Sequence, residues 1–202
     1  MTSPISKGDD SSEYAVLGRQ DALQAESVRI LRDLDLFARL ATVGAPVQTG
    51  SSVYGLMVAP DIDVTTLCRA LDVPTIVAAG AGLATHPRVR RLAFRNDTGP
   101  WNTDPAYPDG LYWMVEYVAD SGSVWNLDLW FLRVGTTQYD LEDLETLPPR
   151  LRPALRLSIL RIKEAWGDPP SGQRMRSHRI YEAVLDGGVR TPEDFARYLE
   201  SE

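Results

Sequence analysis

The spacing of apolar residues changes along the chain, and these changes predict the fold class. From Asp21 to Ala41 apolar residues recur every three or four positions, which predicts an amphipathic helix. In the middle of the chain the apolar runs are short and alternate with polar residues, as in β-strands. From about Pro148 onward the helical spacing returns. Strands in the middle with helices before and after them predict an α+β protein.

The individual elements follow from this pattern and from the turn residues between them. The predicted strands are β-branched or alternating and lie at residues 47–50, 61–67, 89–95, 111–119 and 124–133. A helix is predicted from Asp72 to His86, where Pro87 ends it. The C-terminal helices are predicted at residues 150–166, at residues 176–185 and after Thr191, which is the expected N-cap.

These elements divide the chain into three parts. Residues 1–12 are rich in Ser, Gly and Asp and predict a disordered tail. Residues 13–147 contain all of the predicted strands and are expected to form the main domain. Residues 148–202 are expected to form a C-terminal helical segment. The composition, 44% hydrophobic and 24% charged, is typical of a soluble globular protein, so the remainder of the chain is predicted to fold.

Charge and composition exclude several classes of function. The chain has 28 acidic and 21 basic residues and a net charge of -7, which makes nucleic acid an unlikely main partner because phosphate backbones require a basic surface. Cys68 is the only cysteine, so neither an intramolecular disulfide nor a cysteine-based zinc site is expected. No run approaches the roughly 18 apolar residues of a membrane span, and no secretory signal is evident. We therefore expect a cytoplasmic protein without membrane association.

The most distinctive feature is a glycine–serine turn followed by two aspartates on alternate residues. Asp61 and Asp63 lie in a predicted strand, where residues two apart point to the same side. Neighbouring carboxylates repel each other unless a cation lies between them, and Mg²⁺ is the cation usually bound by carboxylates together with phosphate oxygens. Upstream, Gly50, Ser51 and Ser52 offer backbone N–H groups and hydroxyls that can hold phosphates. Solvated acids on a surface strand and an ordinary turn are the alternative interpretation.

This pattern resembles the signature of the nucleotidyltransferase superfamily, the polymerase-beta-like fold. The signature is an apolar residue, Gly-Ser, a gap of about ten residues, Asp-apolar-Asp-apolar, and a third carboxylate on a later strand. Gly50-Ser51 and Asp61-Ile62-Asp63-Val64 match the first two parts. Asp128, between Leu127 and Leu129, is the candidate for the third, with Glu116 as the alternative. The resemblance covers roughly residues 45–133, and Val53-Tyr54 departs from the Ala-Arg often found after the Gly-Ser turn.

The resemblance implies a fold, a site and an activity. The fold would be a mixed β-sheet core with flanking helices. Asp61, Asp63 and Asp128 would be catalytic and would bind one or two Mg²⁺ ions, while Gly50, Ser51 and Ser52 would contact the phosphates of a nucleoside triphosphate (NTP). The activity would be Mg-dependent transfer of a nucleoside monophosphate to a hydroxyl of a small molecule or protein, with release of pyrophosphate.

Two other functions remain compatible with the sequence. A catalytically inactive relative would keep this fold as a binding or regulatory module, for example an antitoxin-like one. A glycosyltransferase that holds a sugar nucleotide through the Asp-x-Asp motif is less favoured, because that class usually has a longer chain with a nucleotide-binding βα unit ahead of the motif. The acceptor, the preferred NTP and the oligomeric state are open at this stage.

Overall fold

The computed structural model describes residues 7–104, 107–167 and 176–201 of the chain. The fold is α+β, as predicted. The strands are β1 (Ala45–Thr49), β2 (Asp61–Cys68), β3 (Val89–Asp97), β4 (Gly110–Val118) and β5 (Val124–Arg133). The helices are α1 (Lys7–Asp33), α2 (Leu36–Leu40), α3 (Ser51–Tyr54), α4 (Val73–Ala81), α5 (Tyr139–Thr146), α6 (Pro153–Trp166), α7 (Ser177–Leu185) and α8 (Pro192–Glu200).

The five strands form one mixed sheet in the order β1-β2-β5-β4-β3. Strands β2 and β5 pair in parallel, whereas the β1–β2, β4–β5 and β3–β4 pairs are antiparallel. The predicted hairpin between β4 and β5 is present, and Gly122 supplies the positive φ (85°) that its turn requires. The parallel pair is the contact that decides the position of the acidic residues.

One face of the sheet carries the larger apolar core. The alternate residues of the central strands that point to this face are fully buried, as the predicted alternation requires. They pack against α1, α2 and α4. This first cluster includes Ile62, Val64, Leu127, Leu129 and Phe131 from the sheet, Ile30, Leu36, Leu40 and Ile76 from the helices, and Leu34 from the turn between α1 and α2. The opposite face of β2 and β5 carries Asp61, Asp63, Asn126 and Asp128 at one end and Leu67, Trp130 and Leu132 at the other.

A second apolar cluster joins the C-terminal helices to the N-terminal part of the chain. Leu160 of α6, Ile180 of α7 and Phe195 of α8 are buried in it. Tyr54 and Leu56, which come from the segment after β1, are buried in the same cluster. The cluster therefore crosses the predicted boundary between residues 147 and 148, and the helical segment packs directly beside the glycine–serine turn.

Several predicted boundaries need correction. Residues 7–12, expected in a disordered tail, belong to helix α1, while residues 1–6 lie outside the described residues. The single helix predicted over residues 21–41 is divided into α1 and α2, because Asp35 adopts a left-handed conformation (φ 47°) between them. Helices α3 and α5 are absent from the sequence prediction. The N-cap at Thr191 is confirmed, since its side chain accepts a hydrogen bond from the Asp194 N–H in a capping box.

In the part of the chain that the structure describes, no helix combines the length and apolar character needed to cross a bilayer.

Candidate functional site

The structure brings the three predicted aspartates together on the polar face of the sheet. In the parallel pairing of β2 with β5, Asp61 is opposite Asn126 and Asp63 is opposite Asp128. Residues opposite each other in a ladder project from the same face. The two acids of β2 and the single acid of β5 therefore form one cluster, although they are far apart in sequence.

Two neutral side chains orient Asp128. The Asn126 amide Nδ2 donates to Asp128 Oδ1 at 2.8 Å and to Asp61 Oδ1 at 3.2 Å. The Tyr112 hydroxyl, on β4, also donates to Asp128 Oδ1 at 2.5 Å. Burial, together with this hydrogen bond, raises the pKa of Tyr112, so the phenol remains a donor at neutral pH. Both donors bind the same carboxylate oxygen, Oδ1. These bonds fix the orientation of the carboxylate and therefore the direction in which Oδ2 points.

The surroundings of Asp63 disfavour its ionised form. Burial raises its pKa well above the usual value, and the charges of Asp61, Asp128 and Asp140 raise it further. The positive charge of Lys163, on α6, acts in the opposite direction. Each neighbouring carboxylate makes the ionised form of Asp63 less favourable, and a bound cation would reverse that effect.

Position 50 in the turn requires a glycine, because its backbone lies directly against the Asp63 side chain. Gly50 has φ 69° and ψ -166°, a conformation that is essentially restricted to glycine. A Cβ atom at this position would lie 2.0 Å from Asp63 Oδ2. Gly50 and Ser51, the first residue of α3, both line the cleft in front of the acids.

Ser52 departs from its predicted role in phosphate binding. Its side chain is buried and does not line the cleft. The Ser52 hydroxyl accepts a hydrogen bond from Gln48 Nε2 at 2.9 Å and itself donates to the Thr49 carbonyl oxygen at 3.3 Å. Successive residues of a helical turn point about 100° apart, and here the cleft is lined by Ser51 while the Ser52 side chain points towards β1.

Glu116, the alternative third acid, is engaged elsewhere. It accepts hydrogen bonds from Arg90 at 2.7 Å and 3.0 Å and forms a second ion pair with Arg91 at 3.4 Å. These arginines lower its pKa. The structure thus places Asp128, and not Glu116, beside Asp63.

A cleft of about 630 Å³ lies in front of the acids and extends to the C-terminal helices. Lys163 enters it from α6, is only 7% exposed, and donates to the Leu56 carbonyl oxygen at 2.8 Å. Tyr54 and Tyr181 also line it. Lys163 could have been found from the sequence, because it is a single lysine on the apolar side of a predicted helix. A charge at such a position requires a partner. Tyr181 was predicted to be core, and it is buried, but its ring also borders the cleft.

Helices α5 and α7 add a second polar group to the cleft wall. Asp143 of α5 is buried and lies 3.5 Å from His178 Nδ1 of α7. The rings of Tyr139 and His178 are 5.3 Å apart, centroid to centroid. Burial raises the pKa of Asp143, and His178 lowers it. Because α5 was not predicted, neither Asp140 nor Asp143 was identified from the sequence.

The donor chemistry of the acids fits a hard divalent cation, although their present arrangement is not that of a formed metal site. As the side chains stand, the described residues contain no group of three or more His, Cys, Asp or Glu positioned to hold a metal ion. Asn126 occupies one oxygen each of Asp61 and Asp128. Asp61 and Asp128 raise the pKa of Asp63, and neighbouring carboxylates of this kind are nevertheless the type of donor set that Mg²⁺ binds. Metal binding by Asp61, Asp63 and Asp128 stays a prediction.

Comparison with solved structures identifies the fold. The chain superposes on the Cid1 poly(U) polymerase with MgGTP bound, with a TM-score of 0.60 and 16% identity over 89% of this chain and 55% of that one. It is also similar to a cytoplasmic RNA terminal U-transferase, with a TM-score of 0.55 and 16% identity over 86% of this chain and 52% of the other. The chain has the nucleotidyltransferase fold. The resemblance inferred from the Gly-Ser and Asp-x-Asp motifs is therefore confirmed at the level of the fold.

This nucleotidyltransferase-fold chain spans about half the length of the solved structures that it matches. No family model matches its sequence, and no curated protein is similar to it. At 16% identity, similarity to the polymerase concerns the fold, and the chemistry of the site has to be argued from the residues present.

Proposed function

We propose that this chain is a Mg-dependent nucleotidyltransferase that moves a nucleoside monophosphate from an NTP to a hydroxyl of a small molecule or protein, with release of pyrophosphate. The observation that carries this proposal is the parallel register of β2 and β5. It sets Asp63 opposite Asp128 at the mouth of the cleft, with Gly50 directly against Asp63.

Asp61, Asp63 and Asp128 would hold the metal. When bound, Mg²⁺ supplies positive charge that offsets the oxygens of the triphosphate and of the transition state. Asn126 and Tyr112 would keep the carboxylates in place through their hydrogen bonds to Asp61 and Asp128. Such hydrogen bonds limit the movement of the acids, and metal binding would require Asn126 to release the oxygens that it occupies.

The remainder of the cleft suits a nucleotide. Gly50 leaves room for a phosphate to approach the backbone, and Ser51 adds a hydroxyl. Lys163 contributes a cation from the facing helix, and Arg176 lines the same wall. Each of these groups would contact the triphosphate and hold it against the acids. The solved Cid1 polymerase structures with MgGTP and MgATP support a nucleotide at this kind of fold.

Asp128 is also the group proposed to accept the proton of the attacking hydroxyl. Its Oδ1 atom accepts hydrogen bonds from both Asn126 and Tyr112, so a substrate hydroxyl would approach Oδ2. The raised pKa of Tyr112 keeps its proton on the phenol, so Tyr112 orients the base and does not compete with it.

The second candidate is an inactive member of the same fold. It is favoured by one observation, namely that the described acids are not arranged as a metal site and that Asn126 bonds to two of them. In that case the cleft would bind a nucleotide or a partner without catalysis.

Calorimetry with ATP, GTP, CTP and UTP, each with Mg²⁺, distinguishes the two, together with an assay of pyrophosphate release in which hydroxyl compounds (sugars, nucleosides and a serine-containing peptide) are supplied as acceptors of the nucleoside monophosphate. We expect one NTP to bind and the Asp63→Asn and Asp128→Asn variants to lose turnover by a factor of about 10²–10⁴, which is the contribution of a positioned acid or base. Glu116→Gln is the matched control and should retain turnover. Binding without pyrophosphate release by the unaltered chain would favour the inactive module, and no binding of any NTP would contradict the proposed transferase.

A further inference from the structure

A separate cleft of about 480 Å³ lies between helix α1, the end of α3 and the start of α6, and we call it the α1–α3 cleft. Val53 lines this cleft whereas Ser51 lines the first one, so α3 stands between the two spaces. The volume is within the usual range of about 300–1,000 Å³ for small-molecule sites. Its polar wall is formed by Gln20 and Gln24 of α1 and by Arg156 of α6.

We propose that the α1–α3 cleft binds a small α-amino acid with an apolar side chain. The carboxylate of the ligand would bind Arg156, its ammonium group would bind the two glutamines, and its side chain would lie against the apolar part of the wall. This inference does not depend on the proposed function, because Asp61, Asp63 and Asp128 do not line this cleft.

Arg156 provides a positive charge without a counter-ion. The residue is half-buried, and its Nη2 donates to the Gly55 carbonyl oxygen at 3.0 Å. Its Nε is buried and has no hydrogen-bond partner in the part of the chain that the structure describes. No carboxylate of those residues forms an ion pair with the guanidinium. A charge-assisted hydrogen bond from Nε to a ligand carboxylate would satisfy this group.

The two glutamines supply buried acceptors. They are four residues apart on α1 and are therefore neighbours on one side of the helix. Gln20 is 2% exposed, and its Nε2 donates to Asp21 Oδ1 at 2.9 Å, while Gln24 Nε2 donates to the Ser52 carbonyl oxygen at 2.5 Å. These bonds fix the orientation of both amides and leave both buried Oε1 atoms without a partner among the described residues. An ammonium group has three donors and can bind both oxygens.

The arginine and one of the glutamines converge beside Gly55. A Cβ atom at position 55 would lie 2.5 Å from Arg156 Nη2 and 3.5 Å from Gln20 Oε1. The two groups are thus close enough for a single small molecule to contact both.

The charges of the wall suit a zwitterion. Arg156 and the exposed carboxylate of Asp21 are the charged residues among the described ones that line the cleft, and together they give a net charge of zero. The partner of Asp21, the Gln20 amide, is neutral and leaves that negative charge in place. A ligand with one positive and one negative group matches this arrangement, whereas a polyanion does not.

The remainder of the wall is apolar. It is formed by Val53, Pro148 and Leu151, and Val53 is 42% exposed. An aliphatic or aromatic side chain packed against these residues would remove apolar surface from water. The wall therefore favours an amino acid with such a side chain over glycine.

Calorimetric titration of the full chain, without metal or NTP, tests the inference with leucine, valine and phenylalanine. We expect at least one of them to bind. Its amide lacks the carboxylate charge, and the corresponding acid without the amino group (4-methylpentanoate for leucine) lacks the ammonium group. Each of these analogues should bind about tenfold more weakly or worse, because each loses charge-assisted hydrogen bonds.

Two variants locate the site. Gln20→Met and Arg156→Met keep the length of the side chain and remove one polar group each, and each should weaken amino-acid binding about tenfold or more. Because Arg156→Met also loses the bond to the Gly55 carbonyl oxygen, Gln20→Met provides the test that does not alter this contact. Arg19→Met, on α1 but outside the cleft, is the matched control and should retain binding. Thermal melting verifies that each variant is folded.

Three results would overturn the inference: no binding of any of the three amino acids, analogues that bind as tightly as the amino acid, or unchanged affinity in both Gln20→Met and Arg156→Met. Tighter binding of inorganic phosphate than of the amino acids would overturn it in favour of a simple anion site. Since these titrations contain no NTP, failure of the proposed function would leave their outcome unaffected.

Discussion

At the scale of single residues, Asp63 shows a conflict between function and stability. Its carboxylate is half-buried next to two other acids, and desolvation and their charges raise its pKa. A group whose pKa is higher in the folded state releases its proton more readily when the chain is unfolded. Ionisation of Asp63 above the pH at which the unfolded residue titrates, about 3.9, therefore destabilises the native protein.

Replacing Asp63 by Asn should accordingly stabilise the metal-free protein while abolishing the proposed activity. At pH 7 in the presence of a chelator, we expect the melting temperature to rise by about 2–4 °C, the shift that 1 kcal/mol produces in a chain of this size. The gain should decrease as the pH falls towards 4, where the aspartate is increasingly protonated in both states. Melting curves between pH 4 and pH 8 provide the measurement. A variant that is less stable than the unaltered chain at pH 7 would contradict this account.

Gly50 offers a second prediction at the same scale. A Gly50→Ala substitution combines an unfavourable backbone conformation with a direct clash against Asp63. The control is Gly122→Ala, where φ is also positive (85°) but a Cβ atom would meet nothing within 4 Å. We expect Gly122→Ala to cost about 1–2 kcal/mol in unfolding free energy and Gly50→Ala to cost more and also to abolish NTP turnover. Equal effects of the two substitutions in urea unfolding would show that Asp63 does not depend on the close approach of Gly50.

At the scale of elements, α6 connects the helical segment to the acidic cluster. Most of its buried residues are apolar, yet Lys163 is buried among them and donates to the Leu56 carbonyl oxygen and, at 3.4 Å, towards the Tyr181 hydroxyl. Its charge lowers the pKa of Asp63. The helix thus places a positive charge near enough to Asp63 to favour its ionised form.

A Lys163→Met substitution keeps the length of the side chain and removes the charge. We expect it to weaken NTP binding about tenfold or more, because a charge-assisted hydrogen bond contributes about 1.5–3 kcal/mol, and to leave the fold intact by circular dichroism. Arg19→Met is the comparison, since Arg19 pairs with Glu164 of the same helix outside the cleft. Calorimetric titration of both variants separates the roles: unchanged NTP affinity in Lys163→Met would exclude Lys163 from the nucleotide site.

At the scale of the whole molecule, the two apolar clusters determine whether the chain behaves as one unit. The second cluster contains residues from α1, from the segment after α3 and from α6 to α8. The cleft lies between the sheet and these helices, so its shape depends on this cluster. The sequence predicted a C-terminal helical segment from residue 148, and the packing predicts that this segment and the sheet unfold together.

Phe195→Ala tests this coupling. Phe195 is fully buried, and its ring packs edge-on against Trp166 with the centroids 5.3 Å apart. We expect a loss of about 3–5 kcal/mol and a single unfolding transition seen both by far-UV circular dichroism and by tryptophan fluorescence. Val134→Ala, at a position 59% exposed, should change stability by less than about 0.5 kcal/mol. Two separated transitions in Phe195→Ala would support an independent helical segment.

The sequence by itself determined the features that local periodicity records. Alternation in residues 61–67 and 124–133 defined the two strands that carry the acids, and it also defined which side of each strand is polar. The Gly-Ser turn and the N-cap at Thr191 were likewise visible, because each depends on the conformational preferences of a few adjacent residues.

Only the tertiary structure decided which of these features meet. The parallel register that sets Asp63 opposite Asp128 joins strands separated by more than fifty residues, and no local pattern records such a register. Helix α5 is short and polar, so its aspartates gave no periodic signal. The orientation of Ser52 away from the cleft and the approach of Lys163 towards Asp63 depend on packing between distant segments. The types of residue at this site can therefore be read from short stretches of sequence, whereas their relative positions depend on contacts between distant parts of the chain.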